Sequence, residues 1–311
     1  MAIVAWNARG LGNPNNTRAL KDTIFKHDPC IVFLSETKKN QKYLERIKSR
    51  NKFVGSFYVN PRGIAGGLAL WWKESVSISI LRESLNFIDT LVSVNGEEAW
   101  QCTFVYGPPY ISEKHEFWTN FQYLRHHQSV KWCVIGDVNI VADQNDKEGG
   151  APIKKNQAKW FLDSMDASGL FELPIKGGTF TWSNLRGEKD AIAEKLDKIL
   201  ISCEWSLAYP KAIGILEAAV ASDHNPIILL LDGLKKKRKR AFKLESRWIL
   251  EEECYTMLNE AWEGNLRCRG QLKLNRKLKT TRVKLKQWSG VKYGKNRQTI
   301  EGIKQKLLNL Q

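Results

Sequence analysis

The sequence predicts an α/β (α+β) fold in which two mainly antiparallel sheets pack face to face with helices on the outside. Two observations carry this. Short apolar runs recur along residues 1 to about 232, many joined by short loops, as antiparallel neighbours are. Longer stretches with helical spacing separate others. A third observation sets the rest of the chain apart, because six consecutive basic residues at 235–240 cannot enter a core.

In chain order, the runs read as strands are Ile3–Trp6, Ile31–Leu34, Phe57–Val59, Gly67–Trp72, Val76–Leu81, Phe87–Val94, Trp100–Tyr106, Trp132–Gly136, Thr179–Trp182, Lys198–Ile201, Gly214–Val220 and Ile227–Leu231. Helices are predicted over Thr17–His27, Lys38–Arg50, Glu113–His126 with Ser112 as its cap, and Lys154–Ala167 closed by Gly169. Residues 1–232 therefore form one domain, 233–241 a basic linker and 242–311 a basic helical connector. In the connector, Leu274, Leu278, Thr281, Leu285 and Trp288 fall on one helix face. Ser289–Gly290 and Gly294 interrupt the pattern, and Ile300, Ile303, Leu307 and Leu310 resume it, which predicts a helical hairpin. The pattern still runs at Gln311 without a capping glycine or proline, so the connector is read as truncated.

Composition narrows the function. Of 311 residues, 42% are hydrophobic and 26% charged, enough to bury a sizeable core. The net charge is +16, but it is concentrated. Residues 234–311 hold 22 Lys and Arg against 7 Asp and Glu, while the preceding 233 residues are almost neutral. A field that attracts polyanions thus comes from the tail, and the run at 235–240 reads as a solvated linker, with a nuclear-import or nucleic-acid patch as the sharper alternative. The six cysteines form no C-x-x-C pair, which fits a reducing, intracellular compartment; nuclear localisation is the expectation that goes with the basic run. The N-terminus has no signal-peptide pattern, and no apolar stretch approaches the roughly 20 residues of a membrane helix. Twelve tryptophans are read as core and groove packing. His27, His115, His126 and His127 are read as surface residues, and Asp143, Asp146 and Glu148 as a solvated acidic loop.

The chemistry sits at strand ends. Asn7 follows the first strand, Glu36 the second, and Tyr106 ends another. Asp137 and Asn139 follow the run at 133–136, Asp197 precedes a strand, and Asp223–His224 lies between two. Sheet edges are where a rigid scaffold presents a site. This set matches the needs of phosphodiester hydrolysis. Carboxylates suit a hard divalent cation, an acid can deprotonate water, amide and phenol groups can hold phosphate oxygens, and a histidine beside an acid can stay charged.

The segments Trp6–Leu11 (WNARGL), Leu34–Thr37 (LSET), Val105–Pro108 (VYGP), Ile135–Asn139 (IGDVN), Leu196–Leu200 (LDKIL) and Ser222–Pro226 (SDHNP) occur in the order of the motifs of the endonuclease/exonuclease/phosphatase superfamily, which they resemble. Within it, WNARGLGNP, VYGPP, DKEGG at 146–150 and GGTFTWSN at 177–184 are most similar to the endonuclease domain of plant non-LTR (LINE-type) retrotransposon polyproteins. The resemblance implies a DNase I-like four-layer α/β/β/α sandwich and a Mg²⁺-dependent DNA endonuclease, with Mn²⁺ as an alternative metal. It implies nicking that leaves a 3′-hydroxyl, a reverse transcriptase elsewhere in the element, and a monomeric nuclease unit. Glu36, Asp223 and Asn7 would serve the metal, Asp137 would act on water, Asn139 and Tyr106 would contact the phosphate or leaving group, and His224 would pair with Asp197. Arg9, Lys195, Trp182 and Asn184 would face nucleic acid. Arg9 stands where abasic-site repair enzymes carry an acid, and Lys195 where an arginine is common, which weakens a forked phosphate contact to a point charge. The alternatives from the residues are a phosphatase of a small phosphorylated ligand with the same core, or an inactive nucleic-acid-binding fragment.

Overall fold

The computed structural model describes residues 1–63, 65–127, 130–153, 158–186, 190–218, 222–234, 244–263 and 270–310. The chain divides into two compact units, Met1–Leu234 with Leu307–Gln311, and Lys235–Lys306. The basic block at 235–240, residues 154–157 at the expected start of the fourth helix, Ala219, Val220 and Cys268 lie outside the described residues.

The first unit begins with β1 (Ala2–Asn7), α1 (Pro14–His27), β2 (Ile31–Ser35), α2 (Gln41–Arg50), β3 (Gly55–Val59), β4 (Leu68–Trp72), β5 (Val76–Glu83), β6 (Phe87–Val94) and β7 (Trp100–Tyr106). Then come α3 (Ile111–Phe121), β8 (Trp132–Asp137), β9 (Lys147–Glu148), α4 (Lys159–Ser168), β10 (Leu170–Glu172), β11 (Ile175–Lys176), β12 (Trp182–Ser183) and β13 (Ala193–Glu194). It closes with β14 (Asp197–Ser202), α5 (Cys203–Ala208), β15 (Ile213–Leu216) and β16 (Ile227–Leu230). One sheet has seven strands in the order β11-β15-β16-β1-β2-β4-β3, and the second has six in the order β10-β14-β8-β7-β6-β5. Both are mixed. The pairs β1–β2, β11–β15 and β7–β8 are parallel and the other pairs of the two sheets antiparallel.

Alternation along the strands builds the layers. On β1, Ile3 and Ala5 face the second sheet with Phe33, Leu70, Phe104 and Ile135, forming the core between the sheets. Val4 and Trp6 point the other way, onto Leu20 and Ile24 of α1 and Leu44 and Ile47 of α2. The second sheet turns Val105, Trp132 and Val134 outward onto Trp118 and Phe121 of α3 and Phe161 and Met165 of α4. The order is thus helices, sheet, sheet, helices, as the residue pattern predicts. Six tryptophans, Trp6, Trp71, Trp100, Trp118, Trp132 and Trp205, are among the largest fully buried side chains. Cys102 and Cys133 are buried free thiols on neighbouring strands.

Helix starts differ from expectation because caps, not apolar spacing, set them. Asn13 caps α1 by accepting from Asn15 N at 3.0 Å, with Pro14 at the first position. Asn40 caps α2, accepting from Tyr43 N at 3.0 Å, and Lys38, expected inside that helix, has φ 50°. Ser112 is not a cap but lies inside α3, which Tyr110 precedes. Gly169, with φ 62°, closes α4 as predicted. Of the strand expected over Thr179–Trp182, only Trp182 is in a strand, β12, which belongs to a small third sheet ordered β12-β13-β9.

Two surface readings are corrected. Asp146 is not solvated: it lies 2.8 Å from Lys198 Nζ, a fully buried ammonium that also faces Glu172 Oε2 at 3.3 Å. His27 is largely covered, with Nε2 3.0 Å from Glu217 Oε2, and Lys26 Nζ lies 2.7 Å from the same oxygen. Burial disfavours the charge on Glu217, but His27 and Lys26 outweigh it and hold the carboxyl below its usual value. That stabilisation is present above the unfolded carboxyl pKa and is lost as pH falls through the folded one. Glu217→Gln should therefore lower stability at pH 7 by about 1–3 kcal/mol. The gap to wild type should shrink in denaturant melts below about pH 4. An equal gap at pH 7 and pH 3 would sink this reading.

In the second unit, a 3₁₀ turn at Ser246–Leu250 leads into α6 (Glu252–Glu263), followed by α7 (Gly270–Leu310). These two helices form an antiparallel hairpin: Lys284 Nζ meets Glu260 at 2.8 Å and Trp288 Nε1 donates to Glu253 at 2.7 Å. Trp248, Cys254 and Leu285 form its small core. The expected break at Ser289–Gly290 and Gly294 does not occur, and α7 is one helix of 41 residues. An interior glycine costs a helix only about 1 kcal/mol, which a helix of that length absorbs. Among the described residues no helix is long and apolar enough to cross a membrane.

Candidate active site

The two sheets present polar groups at adjoining strand ends. β1 ends on Asn7, and parallel pairing sets Ser35 of β2 beside it, so Glu36 follows directly. In the second sheet, register puts Tyr106 of β7 and Asp197 of β14 on either side of Asp137 of β8. Asp223 and His224 precede β16, next to β1. Arg9, Glu36, Lys38 and Asn139 have φ of 45°, 48°, 50° and 53°. This left-handed backbone costs residues other than glycine about 1 kcal/mol or more, and such strain gathers at functional sites.

Asn7 joins the sheets. Its Nδ2 donates to Asp137 Oδ2 at 2.9 Å and Glu36 Oε1 at 3.3 Å. Those bonds use both amide hydrogens, so the 3.4 Å approach of Nδ2 to His224 Nε2 is a packing contact. Tyr106 donates its hydroxyl to Glu36 Oε1 at 3.0 Å, and Lys38 Nζ lies 3.0 Å from Oε2. Burial raises the Glu36 pKa, but Lys38, Asn7 and Tyr106 together hold it below the usual value. Burial first, then the carboxylates of Glu36 and Asp137, push the Tyr106 phenol well up, so it remains a donor.

His224 Nδ1 lies 2.9 Å from Asp197 Oδ2 and Nε2 lies 3.7 Å from Asp137 Oδ2. The ring is buried, which disfavours its charge, yet Asp197 and Asp137 prevail and raise its pKa. Burial and the Asp197 carboxylate push Asp137 up to about 7, against the pull of His224. Thr181 Oγ1 fixes Asp197 by accepting from its backbone N at 2.9 Å, and Trp6 Nε1 donates to His224 O at 2.9 Å. Ser222 Oγ donates to Asn7 O at 3.0 Å.

The remaining expected residues have these partners. Asn139 N donates to Asp137 Oδ1 at 2.8 Å and its Nδ2 to Gly107 O at 2.7 Å, which fixes the loop beside Tyr106. Asp223 Oδ2 accepts from Trp182 Nε1 at 2.8 Å and from Arg9 Nη1. Asn184 spends its amide inside its own loop, donating to Asp190 O at 2.7 Å and accepting from Ile192 N at 3.0 Å. Lys195 pairs with Glu172 and Asp146. Sequence reading missed Lys38, Thr181, Ser222 and Lys114, whose Nζ donates to Asn139 O. Ser222 and Thr181 lie inside the segments SDHNP and GGTFTWSN, and Lys38 directly follows LSET, which was the available signal; Lys114 reaches the site only through the fold.

A buried acid–imidazole–acid row beside an anionic Glu36 is equipped to move a proton from water and to hold charge on phosphate, which places the protein among hydrolases of nucleic acids and phosphate esters. The chain belongs to the endonuclease/exonuclease/phosphatase family, whose model matches residues 4–224. Among solved structures it is similar to an AP endonuclease from Archaeoglobus fulgidus (TM-score 0.59, 14% identity, 75% of this chain and 99% of that one). It is also similar to the 3′–5′ exonuclease NExo from Neisseria meningitidis (TM-score 0.56, 18% identity, 75% and 100%). The endonuclease domain of TRAS1, a telomere-specific non-LTR retrotransposon, gives TM-score 0.54 at 12% identity over 76% of this chain and 99% of that one. These likenesses show the DNase I-like fold. No curated protein matches the sequence.

The family generally uses a divalent metal. The residues fit one: Glu36 is an ionised oxygen donor held by Asn7 and Tyr106, and Lys38 already sets positive charge against its other oxygen. Asp137, Asp197 and His224 also offer ligand atoms within 4.8 Å of one another, but His224 already spans both acids there, 2.9 Å from Asp197 and 3.7 Å from Asp137.

Proposed function

We propose that the chain is a Mg²⁺-dependent DNA endonuclease of a plant LINE-type retrotransposon, which nicks one strand and leaves a 3′-hydroxyl. The observation that carries it is the row Asp197–His224–Asp137 lying against Asn7, Glu36 and Tyr106. Asp137 takes the proton from the attacking water, because its raised pKa suits a base near neutral pH. His224, kept charged by Asp197, stabilises the pentacovalent phosphate. Asn139 holds a phosphate oxygen with the amide hydrogen it does not give to Gly107, and Tyr106 contacts the leaving group. As the water oxygen bonds to phosphorus the P–O3′ bond breaks, and the 3′-oxygen leaves with a proton from solvent. Glu36, with Asn7 beside it, would hold the metal, which when bound offsets charge on the phosphate.

The retroelement reading is supported by WNARGLGNP, DKEGG and GGTFTWSN, and by the fold shared with the TRAS1 endonuclease domain. On this reading a reverse transcriptase is the partner in the full element, and the basic block at 235–240 serves nuclear entry or nucleic-acid binding. The test is supercoiled plasmid incubated with Mg²⁺, with and without EDTA. Open-circular product that a DNA polymerase can extend is expected for wild type. EDTA or Glu36→Gln should abolish it. Equal nicking by wild type and Glu36→Gln would overturn the proposal.

A further inference from the structure

We propose that Arg9 grips a substrate phosphate, and that Asp223 anchors Arg9 instead of binding metal. The inference rests on the phosphodiesterase reading above and gives these two residues separate roles in it.

Three observations carry it. Asp223 is buried, and its Oδ2 already accepts from Trp182 Nε1 at 2.8 Å and from Arg9. A carboxylate oxygen has about two acceptor directions, so that atom is filled. The Asp223 side chain is only 6% exposed, whereas that of Arg9 is 54% exposed, so the pair has one sunken end and one open end. Arg9 is held at its backbone too: its N donates to Asn7 Oδ1 at 3.2 Å and its φ is 45°.

A guanidinium carries five N–H donors in a planar fork. With Nη1 engaged by Asp223, the rest remain for a second anion at the site mouth. A phosphate diester fits that geometry and charge. Asp223 thus acts as a positioning residue. Trp182 fixes the carboxylate, the carboxylate fixes the guanidinium, and Glu36 is left as the carboxylate that serves the metal. A Mg²⁺ site with one protein carboxylate and several waters is common.

The test uses the full chain and three readouts: Mn²⁺ binding by electron paramagnetic resonance without DNA, binding of a 20-base-pair duplex by anisotropy in EDTA, and KM against kcat for nicking. Arg9→Ala should weaken duplex binding and raise KM by about tenfold. Mn²⁺ affinity should not fall, and Arg9→Lys should restore part of the loss. Asp223→Asn should move the same readouts, and the double variant should be no worse than Arg9→Ala, because the two residues act through one contact. Glu36→Gln should lose Mn²⁺ binding. Thermal melts verify folding, and the Arg9→Lys variant keeps the test open if another variant misfolds. The proposal is overturned if Asp223→Asn loses Mn²⁺ affinity as Glu36→Gln does, or if Arg9→Ala leaves duplex binding and KM unchanged. Should wild type not nick DNA, the endonuclease reading falls alone. Hydrolysis of bis(p-nitrophenyl) phosphate then judges Arg9, with an unchanged KM in Arg9→Ala overturning it and a raised one supporting it.

Discussion

His224→Ala should slow DNA nicking by about 10² to 10⁴-fold, and Asp137→Asn by a similar factor. The imidazole is the group that both flanking carboxylates share, at 2.9 Å from Asp197 and 3.7 Å from Asp137. Removing it strips charge from the phosphate site and leaves two buried acids facing each other. Asp137→Asn keeps the shape and the bond from Asn139 N but removes the base. The pH profile separates the roles. Asp137 must be ionised to act, so the wild-type rate should rise with pH up to about 7. His224 must be protonated, and its pKa is raised, so the rate should fall again at alkaline pH. His224→Ala should retain the rising limb and lose the falling one. Initial rates on supercoiled plasmid check this, and rates within threefold of wild type in either variant would contradict the assignment.

Gly136→Ala should lower stability by about 2–4 kcal/mol and the melting temperature by roughly 5–15 °C. Gly136 has φ 142°, and an added Cβ would sit 2.1 Å from Val105 O, a backbone atom of the neighbouring strand. A flexible side chain could step aside, but this carbonyl is fixed by the parallel β7–β8 pairing. The sheet must shift where Tyr106 and Asp137 stand side by side. Nicking should therefore drop well below wild type even at temperatures where the variant remains folded. Melting by circular dichroism decides it, and a change under about 1 °C would show that the strand accommodates the methyl group.

Much of the framework is legible in the sequence because its cause is local. β6 and β7 coincide with the apolar runs at 87–94 and 100–106, and Asn7, Glu36, Tyr106 and Asp137 stand at or directly after the ends of strands. What is not legible depends on partners far along the chain. Two-residue strands such as Lys147–Glu148 and Ala193–Glu194 have no period to detect. Lys198 lies in an apolar run, and its acids come from positions 26 and 52 residues away. The crowding of Arg9, Trp182 and Asp223 joins three segments that only folding brings together. Helix starts are displaced because one asparagine cap outweighs several apolar spacings.

The place of β1 also constrains how the protein is made. It is an interior strand of the seven-stranded sheet, with β2 on one side and β16 on the other. Ala2 pairs with Leu230, so during synthesis β1 lacks one neighbour until almost the whole first unit has been made. Meanwhile its edge is open to strangers. Pairings so distant in sequence are slow to form and exposed to aggregation. Expression should accordingly be sensitive to the speed of translation and to chaperones that shield an unpaired strand. His224, three residues ahead of β16, arrives with that strand, so the Asp197–His224–Asp137 row is complete only when the fold is closed.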